Sequence, residues 1–133
     1  VRGLKNMKVS KSPPTEKQYV WVDAVIANPF TGKSLSVKAL VDTGATDTVI
    51  PRKVVEELQL PVTGKSVVLT ARGPVELNEC IGIIEIIGKR RTVPMLISDE
   101  INFTLIGVTT LEWLRLEVDP TTGKLKESVA FLF

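Results

Sequence analysis

The residues best suited to chemistry lie in one stretch, Val41-Asp42-Thr43-Gly44-Ala45-Thr46-Asp47-Thr48-Val49-Ile50-Pro51. It sets an Asp-Thr-Gly triplet between an apolar approach, Ala39-Leu40-Val41, and an apolar exit, Val49-Ile50. Glycine permits a tight turn and the close approach of a second stretch of backbone. Threonine offers a hydroxyl that can fix the loop by hydrogen bonding. Asp42 then stands at the end of a strand, aimed into the space the loop faces. One buried carboxylate alone is pushed toward its protonated form. Two carboxylates about 3 Å apart share a single proton, because both cannot ionise together. Such a pair is an acid and a base at once, able to activate a water and protonate a peptide carbonyl. The chain holds one Asp-Thr-Gly and no Asp-Ser-Gly, so it cannot supply both carboxylates from this motif.

Composition removes several other chemistries. Histidine is absent, which excludes Ser-His-Asp and Cys-His arrangements and most zinc and iron sites. No metal and no cofactor are expected. Cys80 is the only cysteine, so no intrachain disulfide forms, and its apolar strand-like neighbours suit a buried inert thiol. The net charge of +2, with basic residues scattered, gives no case for a nucleic-acid partner. The run Lys89-Arg90-Arg91 reads as a solvated hairpin turn. Thr-Gly-Lys occurs at Thr31, Thr63 and Thr122, but the glycine a phosphate loop needs five residues earlier is missing. All three copies read as turns with glycine at positive φ. No apolar run approaches a membrane span, and the start lacks the apolar core of a signal peptide, so no membrane is expected and a cytoplasmic location is.

The 133 residues are one domain's worth, and 44% hydrophobic content supports a sizeable core. Residues 1–18 read as a flexible N-terminal arm marked by Ser12-Pro13-Pro14-Thr15, with the domain over 19–133. Tyr19 to Ala27 and Ser34 to Val41 alternate as strands around an Asn28–Lys33 turn, and the second delivers the chain to Asp42. Pro51 to Leu58 has helical spacing, with Pro51 in the first turn and Leu60-Pro61 as its end. Strands are predicted on both sides of Arg72-Gly73-Pro74, with Gly82 marking a bend or bulge in the second. Arg91 to Ile97 and Asn102 to Ile106 follow as strands, and Thr109 to Leu114 as a short capped helix. Pro120-Thr121-Thr122-Gly123 is a hairpin turn, and the tail from Ser128 is strand-prone.

An Asp-Thr-Gly alone is most often just a turn. The context is what makes it specific, and Val41-Asp42-Thr43-Gly44-Ala45 with Leu105-Ile106-Gly107 resembles the retropepsin-like aspartic proteases. The resemblance spans about Tyr19 to Leu125 and leans toward the cellular and prokaryotic branch. It implies a mainly β fold: a closed antiparallel β barrel of the acid-protease type with two short helices. It implies an aspartic peptidase acting on peptide or protein substrates. It implies a homodimer, in which each chain gives one Asp42 and the two meet on the two-fold axis. Asp42, Thr43 and Gly44 would be the catalytic triplet, with Thr43 holding the partner's loop. Leu105, Ile106 and Gly107 would cross behind that loop as its support. Ala45 and the flap tip Ala71, Arg72, Gly73 and Pro74 would meet the substrate.

Three departures from the viral pattern stand out. Viral members carry an Asp after Asp-Thr-Gly-Ala, paired with an Arg after the later Gly; here Thr46 and Val108 stand there. The viral flap tip is Gly-rich, whereas Pro74 stiffens this one and Arg72 faces either an acidic substrate or water. The N-terminal arm is polar, which leaves Val129 to Phe133 as either a dimer strand or an edge strand on its own core. Trp21 and Trp113 read as packing residues. The alternative function is a dimeric peptide-binding or scaffolding module with slow or no catalysis.

Overall fold

Period-two alternation builds the first hairpin. In β1 (Tyr19–Ala27) and β2 (Ser34–Asp42) alternate residues are buried, and the two strands pair antiparallel from Tyr19 opposite Asp42 to Ala27 opposite Ser34. This is a computed structural model that describes residues 19–129. The expected arm over 1–18 and residues 130–133, most of the apolar tail, lie outside the described residues.

Asn28 closes that hairpin in a way its turn-like type does not announce. Its Oδ1 accepts the amides of Phe30 and Thr31, at 2.7 and 3.1 Å. Its Nδ2 donates to the carbonyls of Leu58 and Gln59, at 2.9 and 3.0 Å. Those carbonyls end α1 (Arg52–Leu58), so one buried side chain makes a turn and caps a helix 30 residues away. Pro51 sits just before α1, with extended backbone, and closes β3 (Val49–Pro51). It therefore precedes the first helical turn.

The long strands β4 (Val62–Thr70), β5 (Gly73–Ile86) and β6 (Lys89–Ser98) follow as consecutive hairpins. Then β7 (Thr104–Ile106) enters between β2 and β3, parallel to the first and antiparallel to the second. The sheet order β1-β2-β7-β3-β6-β5 closes where Val25–Ala27 of β1 pair with β5, which makes a six-stranded barrel. The predicted closed β barrel with two short helices is what the chain forms. Two of its pairings, β2–β7 and β3–β6, are parallel, because loops and a helix carry the chain back before each pairing. Of the seven strands of this sheet β4 stays outside the closure, and among the described residues it is attached to β5 alone. After α2 (Val108–Leu114), β8 (Leu116–Asp119) and β9 (Lys124–Glu127) form a separate hairpin.

The barrel interior is aliphatic: Ile26, Val41, Ile50, Ile84, Ile86, Met95, Ile97 and Ile106 are fully buried, and Leu58 of α1 and Leu111 and Leu114 of α2 seal it from outside. Cys80 is buried among them, and that burial pushes its thiol up to about 11, which fits the inert reading.

Four local expectations need correcting. Thr63-Gly64-Lys65 is not a turn: it lies in β4, where the register slips between Val62 and Gly64, and Gly64 has no positive φ. The other two Thr-Gly-Lys copies are turns, with Gly32 at φ +77° and Gly123 at +71°. Gly82 carries no bulge, since it pairs regularly with Val93; it instead makes room for Leu60 Cδ1 and Met95 Cε, each 3.3 Å from where a Cβ would lie. Lys89-Arg90-Arg91 opens β6, and the turn is Ile87-Gly88, both at positive φ. α2 begins at Val108, after Gly107, and has no side-chain cap.

Candidate active site

β2 ends on Asp42, and the chain turns at once. The Asp42 Oδ1 accepts the amide of Gly44 at 2.8 Å, and its main-chain carbonyl accepts the amide of Ala45 at 3.0 Å. The turn leaves Asp42 and Thr43 half-buried and Gly44 exposed. The bond from Gly44 engages one of the two carboxylate oxygens.

The segment from residue 104 to 110 holds this loop from behind. Leu105 lies between Leu40 of β2 and Val49 of β3, and Ile106 pairs with Val41 and is fully buried. Gly107 then passes under the loop. A Cβ there would sit 2.4 Å from the Asp47 carbonyl oxygen and 2.6 Å from the Thr46 carbonyl carbon, so only glycine fits. Main-chain bonds tie the two segments: Val108 N–H to Ala45 O at 2.8 Å, and Thr109 N–H to Thr46 O at 3.1 Å. Where the viral pattern has a charged pair, Thr46 and Val108 are thus joined through main-chain bonds made by these two stretches. Buried hydroxyls finish the junction. Thr48 Oγ1 accepts the Gly107 amide at 3.1 Å and lies 2.7 Å from Thr110 Oγ1. Sequence reading passed over Thr48 and Thr110.

A cleft of about 500 Å³ opens beside the loop. Gly44, Ala45, Thr46 and Asp47 form one side, Val67, Val68 and Leu69 of β4 with Leu77 of β5 the other, and Val49, Leu96 and Leu105 its floor. Ala45 is therefore in the cleft wall. Of the remaining residues expected to meet substrate, Ala71 and Arg72 form the two-residue tip of the β4–β5 hairpin and line a second hollow with Ser98, Asp99 and Glu100. Gly73 has φ +108°, and its carbonyl accepts the Thr70 hydroxyl at 2.8 Å; Pro74 stands opposite Leu69. The apolar wall residues Val67, Leu69 and Leu77 were not singled out from sequence, because their alternation reads equally as ordinary strand. Trp21 is largely exposed and meets Phe103 edge-on, with ring centroids 5.6 Å apart. Among the described residues no cluster of acidic, cysteine or histidine side chains could hold a metal ion, and no helix is long and apolar enough to cross a membrane.

A six-stranded barrel, with a short strand entering between the two that flank an Asp-Thr-Gly loop and a hairpin overhanging it, is the retropepsin-type fold. The family described as "gag-polyprotein putative aspartyl protease" matches residues 30–112, well over half of the chain, and the chain belongs to that family of retropepsin-like aspartic proteases. No curated protein matches it. Among solved structures it is similar to EIAV protease complexed with the inhibitor HBY-793, with TM-score 0.59 and 21% identity over 73% of this chain and 88% of that one. It is similar to the protease of simian foamy virus (mac), with TM-score 0.53 and 22% identity over 71% and 94% of the two chains. The retroviral protease-like domain of Ddi1 from Leishmania major matches with TM-score 0.56 and 18% identity over 83% and 88%. At these identities the likeness to solved structures is one of fold.

Proposed function

We propose that this protein is an aspartic endopeptidase whose active site forms between two copies of the chain. The observation that carries the reading is the Asp42 loop itself: a carboxylate at a strand end, one oxygen held by the Gly44 amide, on a loop that lines a cleft of about 500 Å³. One such loop per chain calls for a second copy. A two-fold axis beside the loop would bring Asp42 against its own mate, and the pair would share a proton. The base of the pair would take a proton from water as that water attacks the peptide carbonyl. The acid of the pair would protonate the carbonyl oxygen to give a diol; the proton taken from water would then pass to the nitrogen while the other carboxylate takes a diol proton, and the C–N bond would break to release amine and acid. Thr43 and Gly44 would shape the turn and its contact with the partner's loop, and Leu105, Ile106 and Gly107 would keep it from retreating. Substrate would lie along β4 and Ala45, with main-chain bonds to a free strand edge and apolar side chains against Val67, Leu69 and Leu77. The tip residues Ala71, Arg72, Gly73 and Pro74 would close over its end.

A second reading has its own support. Among the described residues β4 is bonded on one edge only, and its Leu69 is 85% exposed. A strand of that kind binds extended peptides with or without hydrolysis, so the fold also suits a dimeric peptide-binding or scaffolding module. The test is cleavage of a diverse peptide mixture, read by mass spectrometry from acid to neutral pH, with the native chain beside Asp42→Asn. Ultracentrifugation of both reports the dimer. Cleavage lost in a variant that still dimerises supports the peptidase. A folded native dimer that binds peptides and cleaves none favours the module.

A further inference from the structure

We propose that the buried hydroxyl pair Thr48–Thr110 is a positioning device for Asp42, setting the aim of its carboxylate from the far end of the loop. The proposal rests on the peptidase reading and adds residues that touch neither water nor substrate in it.

The loop between Asp42 and Thr48 has two anchored ends. At one end β2 fixes Asp42 through its pairing with β1. At the other, Thr48 is buried and makes three bonds, two to the segment over residues 104–110 and one to β6. Its Oγ1 takes the Gly107 amide, the same oxygen meets Thr110 Oγ1 of α2, and its carbonyl takes the Leu96 amide of β6 at 2.9 Å. Between these ends the loop's main chain rests on Gly107 with no room for a Cβ. Any shift of Thr48 therefore travels through a packed backbone to the turn whose Gly44 amide holds Asp42 Oδ1.

Stability explains the Thr48 hydroxyl in part, because it satisfies the buried Gly107 amide, but gives less reason for a second hydroxyl at Thr110. Each buried hydroxyl costs free energy unless it is bonded. What hydroxyls supply is direction. A hydrogen bond weakens steeply with angle and distance, so Thr48, Thr110 and the Gly107 amide fit together in one arrangement. An apolar contact would tolerate sliding. The Gly107 amide adds a further constraint, since an apolar residue at 48 would leave that buried donor without a partner. A reaction in which two carboxylates and a water must align depends steeply on such placement, and shifts of about 1 Å cost about 100-fold.

The experiment compares Thr48→Val, Thr110→Val and Thr48→Ser with the native dimer. Steady-state cleavage of one peptide is measured together with amide hydrogen exchange read by mass spectrometry. In Thr48→Val, kcat is expected to fall at least about tenfold while KM stays within about threefold, because the β4–β5 wall of the cleft is untouched. Thr110→Val, which leaves the Gly107 amide paired, should fall in between. Thr48→Ser, which keeps the oxygen, should stay near the native value. Exchange at residues 44–47 and 107 should quicken in the two valine variants, with the Ile86–Lys89 hairpin unchanged. The proposal is overturned if both valine variants keep kcat within about twofold per folded dimer, or if Thr48→Ser is as damaged as Thr48→Val. If Thr48→Val does not fold, Thr110→Val and Thr48→Ser decide by the same criteria. If the native chain cleaves nothing, the peptidase reading fails by itself; unchanged exchange in the valine variants would then also overturn the clamp.

Discussion

The Asp42–Thr48 loop and the β4–β5 hairpin face each other across one cleft, and they are built on opposite principles. The loop is short, bonded at both ends, and pressed on Gly107 so closely that a methyl group has no place. The hairpin projects from the barrel. Over Val62–Thr70 no residue is fully buried, and Val67 and Leu69 present bare side chains. Cross-strand support there is modest: a Lys65–Glu76 ion pair at 3.7 Å between exposed groups contributes little. One wall of the cleft is therefore tightly packed and the other largely exposed. Under the proposed peptidase reading, rigidity would sit where reacting groups must be aimed, and exposed apolar surface where a substrate chain would be covered.

The sharpest way to break this contrast is at Asp42. Asp42→Asn keeps the side chain's shape and its bond from Gly44, so fold and dimer should persist. Cleavage should fall by on the order of 10²–10⁴-fold, as measured with peptide substrates. A variant that cleaved normally would place the chemistry elsewhere. Next comes Gly107→Ala, which forces a methyl into the loop's backbone. It should cost about 1–3 kcal/mol in denaturant unfolding, with a matching loss of activity. A neutral outcome would mean the loop is as adaptable as the hairpin.

On the other wall, Leu69→Ser and Val67→Ser should each leave stability within about 0.5 kcal/mol, because both side chains already face water. Their effect should appear in KM, up to about tenfold for a side chain that substrate covers fully, with kcat little changed. The smallest effect is expected at Asp99, beside the hairpin tip. Arg52 donates to it from Nε and Nη2, and this hydrogen bond, with the guanidinium charge, holds the Asp99 carboxyl below the usual carboxylate range. The folded-state value lies below the unfolded one. The stabilisation is therefore present above the unfolded value, near pH 4, and is lost as pH falls through the folded value. Parent and Asp99→Asn should differ slightly in thermal melting at neutral pH and converge in acid, and added salt should narrow the gap.

Much of the fold is legible in the residues. The alternation of β1 and β2, the helical spacing of Val54, Val55 and Leu58, and the turns at Gly32 and Gly123 are local signals, and each produced the expected element. Errors fell where one residue type serves two geometries. Gly64 looked like a turn glycine yet stands in a strand, at a register shift, and Gly82 pairs regularly where a bend or bulge was expected. Asn28 looked like a turn residue and is also a helix cap, because its second set of bonds reaches carbonyls 30 residues away. The candidate site was legible at its motif and not at its walls. Asp42-Thr43-Gly44 and Leu105-Ile106-Gly107 are marked by composition. Val67, Leu69 and Leu77 are apolar strand residues like many others, and only their position across the cleft distinguishes them.

By itself the sequence determined that the chain is a mainly β domain without histidine chemistry, and that it holds a single Asp-Thr-Gly. These follow from residue types and their period, which act over a few bonds. The tertiary structure alone decided that β7 enters between β2 and β3, that Gly107 meets the Thr46–Asp47 backbone, and that Thr48 finds Thr110. Those contacts join segments about 60 residues apart. No local propensity encodes them, because they exist only once the barrel has closed and steric fit has chosen which residues meet.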